Sequence, residues 1–155
     1  MSIKAKIEGI APDETLETWA REIIVDYFQQ MMSYKDGAKE GRDIEFVHDM
    51  RVTSRRLRAA MDNFADCFPQ KSFRKHYKRV KAITRTMGAV RDLDVLIERF
   101  QKSLGTFSEM EQANIRGLIS HLQREREAAR KPMLTLFTKL EETCFEEKFL
   151  NFFCK

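Results

Sequence analysis

The stretch HDMRVTSRRLRAAMDNFADCFPQKSFRKHYKRVKAITRTMGAV, residues 48–90, decides the fold class. Its large apolar residues do not alternate. They recur at intervals of three and four, through Met50, Leu57, Met61 and Phe64 before Pro69 and through Phe73, Tyr77, Val80, Ile83 and Met87 after it. This is the period of a helix with one buried face. Residues 44–66 therefore read as one helix, with Phe46 opening its buried stripe, and Pro69 ends it. A longer helix starts near residue 71 and continues to about residue 100. Gly88 lies inside that second helix, where glycine costs about 1 kcal/mol relative to alanine, so either the axis bends there or another backbone comes too close for a side chain.

The same period extends in both directions. Upstream, Pro12 suits the first turn of a helix whose buried side takes Leu16, Trp19, Ile23, Ile24, Tyr27, Phe28 and Met31. Residues 34–43 read as a loop, in which Gly37 and Gly41 permit a chain reversal, Lys35 is exposed and Asp43 caps the following helix. Downstream, residues 104–106 form a turn, and Thr106 and Glu109 have the spacing of a reciprocal capping box. A fourth helix then buries Ile115, Leu118, Ile119, Leu122, Leu134, Phe137 and Leu140, with Pro132 kinking or dividing it. The terminal aromatic run of Phe145, Phe149, Leu150, Phe152 and Phe153 is too apolar for a frayed tail, since burying one Phe is worth about 1.5 to 3 kcal/mol. It should dock on this chain or on a partner subunit. The expected architecture is all-α, an antiparallel four-helix bundle with an additional C-terminal helix, in one domain over residues 1–155.

The charge distribution separates the middle of the chain from its flanks. Residues 48–91 carry twelve basic and three acidic side chains, a net +9, whereas residues 1–47 are at −4 and residues 92–155 at −1. Such a concentration of like charge costs self-repulsion that a bound anion relieves. His48, Arg51, Arg55 and Arg58 fall within roughly 80° of one another on one helix face, at about 100° per residue. Arg74, Lys78, Lys81 and Arg85 repeat the pattern on the next helix, with Lys71 and Lys75 widening its positive edge. Arg56 falls outside its row. Guanidinium groups match phosphate with a rigid fork of donors and lysines add mobile charge, so two facing rows suit a chain of phosphates better than a single one.

Three cysteines, Cys67, Cys144 and Cys154, form neither a metal pattern nor an even disulfide framework. With no signal-peptide pattern and no long apolar run, they point to a cytoplasmic protein without a membrane span. His48, His76 and His121 form no local ligand motif, and Asp49, Asp92 and Asp94 serve as oxygen ligands only if folding gathers them. No metal, cofactor or catalytic set is implied, so the reading is non-enzymatic.

The motifs HDMRVTSRRLR, residues 48–58, and MGAVRDLDV, residues 87–95, resemble the CHAD family of histidine-containing α-helical domains, in the family's order and over about residues 16–153. The resemblance implies an all-helical fold that binds inorganic polyphosphate without hydrolysing it, and association with polyphosphate granules. It carries over His48, Arg51, Arg55, Arg56, Arg58 and Lys81 as basic-site residues. It also implies structural or flanking charge for Arg91, Asp92 and Asp94. Family domains usually resemble two four-helix halves, whereas this chain resembles one, which motivates a homodimer. Nucleic acid is the competing polyanion, although no base-reading signature is present. A metal-dependent phosphate hydrolase is the lesser alternative.

Overall fold

The computed structural model describes residues 15–155, and all of the regular structure among them is helical. In chain order the helices are α1 (Leu16–Ser33), α2 (Lys35–Glu40), α3 (Glu45–Asn63), α4 (Gln70–Ser103), α5 (Glu109–Glu142) and α6 (Phe145–Phe153). Short 3₁₀ turns at Ala65–Cys67 and Leu104–Thr106 join α3 to α4 and α4 to α5. Pro12 lies outside the described residues. Helix α1 starts instead on Thr15, whose hydroxyl oxygen accepts from the Thr18 N–H.

Helices α1, α3, α4 and α5 are the long elements of the bundle, packed in series: α3 against α1 and α4, and α4 against α5. Helix α6 packs on both α1 and α5, filling the space between them. Phe28 of α1 stacks on Phe149 at 3.8 Å between ring centroids, and Phe145, Phe149 and Phe153 are all buried. The aromatic run thus docks on its own chain. Arg21 fastens it further by donating to the Phe152 carbonyl at 2.9 Å.

At 1.5 Å per residue, α4 and α5 are each about 51 Å long, nearly twice α1 and α3. Their inner halves join the main core through Val80, Ile83, Met87, Met133 and Phe137. Their outer halves pair around a small separate cluster of Ile97, Ile119 and Leu122. Pro132 does not break α5. Its ring deprives the Ala128 carbonyl of a partner, but Pro132 and Ala128 are both exposed and solvent can take that carbonyl.

Several expectations need correction. Residues 34–43 are not a plain loop: α2 forms there and ends at Gly41, whose φ of 77° is the left-handed cap that glycine adopts freely. Arg130, reaching across from α5, donates to the last carbonyls of α2, Ala38 at 3.2 Å and Lys39 at 2.9 Å. Lys35 is not free but pairs with Glu141 at 3.0 Å. Phe46 is 37% exposed, its ring lying over Gly37 at the edge of the stripe that Val47, Met50, Ser54, Leu57 and Met61 form. Leu16, at 59%, and Leu118, at 38%, also face solvent. The capping box at the start of α5 is Ser108 with Glu111, not Thr106 with Glu109. Thr106 belongs to the 3₁₀ turn, where its hydroxyl donates to the Ser103 carbonyl, and the extended Phe107 leaves Ser108 as the first residue able to cap. Asp43 does cap α3, its carboxylate accepting from the Glu45 N–H at 2.9 Å.

Candidate polyanion-binding site

Three contacts fix how α3 and α4 meet. Arg51 lies over Gly88, its Nε 3.4 Å from where a Cβ would stand. The Thr84 hydroxyl donates to Ser54 Oγ at 3.0 Å in a buried bond, and the Arg58 guanidinium sits 5.8 Å from the centroid of the Tyr77 ring. As the α3 number rises the α4 number falls, so the helices run antiparallel. No backbone of another element comes within 4 Å of a Cβ at Gly88; the atoms over it belong to an arginine side chain, so Gly88 is the seat of an arginine. The buried Ser54–Thr84 bond adds a polar contact between the helices at this register, and each hydroxyl also bonds a carbonyl of its own helix, Arg51 and Val80 respectively.

This register locates the two rows. At about 100° per residue, Tyr77 and Gly88 lie on the α3-facing edge of α4, and Lys81, Arg74, Arg85 and Lys78 follow in order away from it. Lys81 thus falls along α4 between the seats of Arg51 and Arg58. Arg74, Lys78, Lys81 and Arg85 are all exposed. On α3, Arg55 is exposed while His48, Arg51 and Arg58 are half-buried. Arg51 and Arg58 are more enclosed than their row suggests because Val47 and Ser54 extend the buried stripe toward them. Arg56 is exposed and stands roughly 100° from Arg55, outside the row.

None of these nine basic residues pairs with an acidic residue among those described. The Nε atoms of Arg51 and Arg58 are also buried without a hydrogen-bond partner. Arg91 Nη1 is buried without a hydrogen bond as well, whereas two enclosed arginines on α5 are satisfied: Arg126 Nε donates to Asp94 Oδ1, and Arg130 holds the end of α2. Asp94 is 2% exposed, and burial raises its pKa against the pull of Arg126.

The flanking residues divide. Arg91 approaches Glu45 at 3.9 Å, Asp94 is committed to Arg126, and Asp92 is exposed on the same α4 face as Lys81 and Arg85, placing a carboxylate beyond the end of the row. Glu45, His48 and Asp49, on the first turns of α3, bring their ligand atoms within 4.8 Å of one another. Asp49 does not meet Asp92 and Asp94 in such a group. The Ser54–Thr84 pair, the seats at Gly88 and Tyr77 and the Glu45 grouping were missed from sequence. Only Gly88 had given a signal, as a costly glycine inside a helix.

The protein is thus a helical bundle with a basic face built on two antiparallel helices. The family model described as CHAD domain matches residues 22–153, and the chain belongs to the CHAD domain family. No curated protein and no solved structure matches it. No helix among the described residues is long and apolar enough to cross a membrane.

Proposed function

We propose that the α3–α4 face binds inorganic polyphosphate, without catalysis, through His48, Arg51, Arg55, Arg58, Arg74, Lys78, Lys81 and Arg85, with Arg56 at its margin. The observation that carries this reading is the pair of half-buried arginines, Arg51 and Arg58, whose Nε donors have no partner within the protein. A half-desolvated guanidinium without a carboxylate is costly to fold, and a phosphate oxygen offsets that cost by supplying the missing acceptor. Association of the CHAD family with polyphosphate supports the choice among polyanions.

Repetition of cations along two helices favours a polymer, since neighbouring phosphates bind without paying the association cost again. Calorimetry at matched total phosphate and fixed salt tests this. Long-chain polyphosphate should bind at least a hundredfold more tightly than orthophosphate and more tightly than single- or double-stranded DNA. Equal affinity for orthophosphate rejects the multivalent track, and a preference for DNA transfers the site to nucleic acid. Pairing of two chains would lengthen the track. Sedimentation across the micromolar range without ligand tests that point separately, and a monomer throughout removes the pairing while leaving the site intact.

A further inference from the structure

Helix α4 carries a second basic face, centred roughly 140° around the helix from the first and adjoining it at Lys75. Lys75, His76 and Arg79 share it, and α6 answers with Lys148, Asn151 and Phe152 at the spacing i, i+3, i+4 that lines one helix side. Together these residues line a cleft of about 480 Å³ between α4 and α6. No acidic side chain lines it, and Lys75, Arg79 and Lys148 make no ion pair with any described residue. Part of the wall is aromatic, with Ser72, Thr143 and Lys155 completing the lining: the rings of His76 and Phe152 are 4.9 Å apart and tilted by 35°. Burial, reinforced by the charge of Lys75, lowers the pKa of His76, so at neutral pH this ring presents a flat, uncharged surface.

We infer that this cleft is a separate site for a small organic phosphate bearing a flat ring, of the nucleotide class. The three cations supply the attraction for phosphate groups, and the His76–Phe152 wall supplies a surface on which a heteroaromatic ring can lie. The volume falls in the range of small-molecule sites and would be mostly empty around a lone phosphate. Inorganic polyphosphate has no ring to place against the aromatic wall, so the chemistry of this cleft differs from that of the α3–α4 face.

The test is calorimetry of the full chain with adenosine triphosphate and with inorganic tripolyphosphate as probes. It uses the wild type, the double variant Arg79→Ala/Lys148→Ala, Phe152→Leu and Arg55→Ala, with the His76 ring resonances followed by NMR. Adenosine triphosphate should shift the His76 resonances and lose at least tenfold in affinity in the double variant. It should change by less than twofold in Arg55→Ala, and Phe152→Leu should weaken the nucleotide more than the tripolyphosphate. Polyphosphate binding should show the reverse dependence, falling in Arg55→Ala and holding in the double variant. The cleft assignment is overturned by no nucleotide binding at millimolar concentration, by equal loss in Arg55→Ala, or by unmoved His76 resonances. Tripolyphosphate binding as tightly as the nucleotide, with the same response to Phe152→Leu, overturns the ring-binding wall. Failure of the nucleotide to bind, or unmoved His76 resonances, leaves the polyphosphate reading intact, whereas polyphosphate binding that does not fall in Arg55→Ala counts against that reading and not against the cleft.

Discussion

Two of the regions that enclose arginines in this molecule treat them in opposite ways. Where α5 meets α4 and α2, Arg126 and Arg130 find a buried carboxylate and two helix-end carbonyls, so each guanidinium is part of the fold. Along α3, Arg51 and Arg58 rest on Gly88 and Tyr77 and keep donors without acceptors. Removing an arginine of the first kind strands its partner; removing one of the second kind strands nothing. Stability and binding should therefore separate cleanly between the regions.

The largest effect on folding should come from Arg126→Ala, which leaves Asp94 buried without its cation. Losing one partner of such a pair costs about 3 to 5 kcal/mol, read as a lowered urea midpoint, while polyphosphate affinity per folded molecule stays within twofold. A midpoint unchanged from wild type would erase the distinction between the regions. The converse variant, Arg51→Ala/Arg58→Ala, should lose tenfold or more in polyphosphate affinity while stability moves by less than about 1 kcal/mol, the cation–π contact of Arg58 being the main loss. Lys131→Ala, exposed on α5, is the appropriate control, since the ion pair of Lys35 with Glu141 makes that lysine structural. A double variant that unfolds readily would show that the unpaired arginines are structural after all.

Gly88→Ala sharpens the comparison. A methyl 3.4 Å from Arg51 Nε requires the guanidinium to give way by a few tenths of an ångström, while the helix gains up to about 1 kcal/mol in propensity. The expected result is a more stable protein with affinity reduced about threefold; raised affinity would mean that Gly88 does not seat Arg51.

The smallest effect concerns a third treatment of a basic group. His76 is half-buried among aromatic rings and has its pKa lowered, so the unfolded chain binds the proton more tightly than the folded one. Its contribution to stability is present above the unfolded pKa near 6.5 and is lost as pH falls through 6.5 toward the lower folded value. The urea midpoint should drop on acidification from pH 7.5 to 5.5, and less steeply in His76→Phe; identical slopes would exclude His76 as the cause.

The long helices were legible in the sequence because a buried stripe repeats over many turns, and the basic rows because charge and angular position are additive along a helix. What escaped was whatever depends on a second element. Helix α2 is six residues long with Gly37 inside it, too short for a period, and its last carbonyls are held by Arg130 from α5. Thr106 and Glu109 have the spacing of a cap for α5, but the extended backbone at Phe107 gives that role to Ser108 with Glu111. Arg51 and Arg58 were assigned to the right face, but their seats lie on another helix, at Gly88 and Tyr77.

The placement of α6 also sets an order of events during synthesis. Arg21 bonds to a carbonyl 131 residues further along the chain, and Phe28 has no stacking partner until Phe149 has been made. As the polypeptide leaves the ribosome, α1, α3 and α4 can associate early, yet the seam that α6 covers stays open to water until α6 emerges. During that interval the nascent chain displays aromatic surface that the finished protein hides, the condition under which folding chaperones engage their clients.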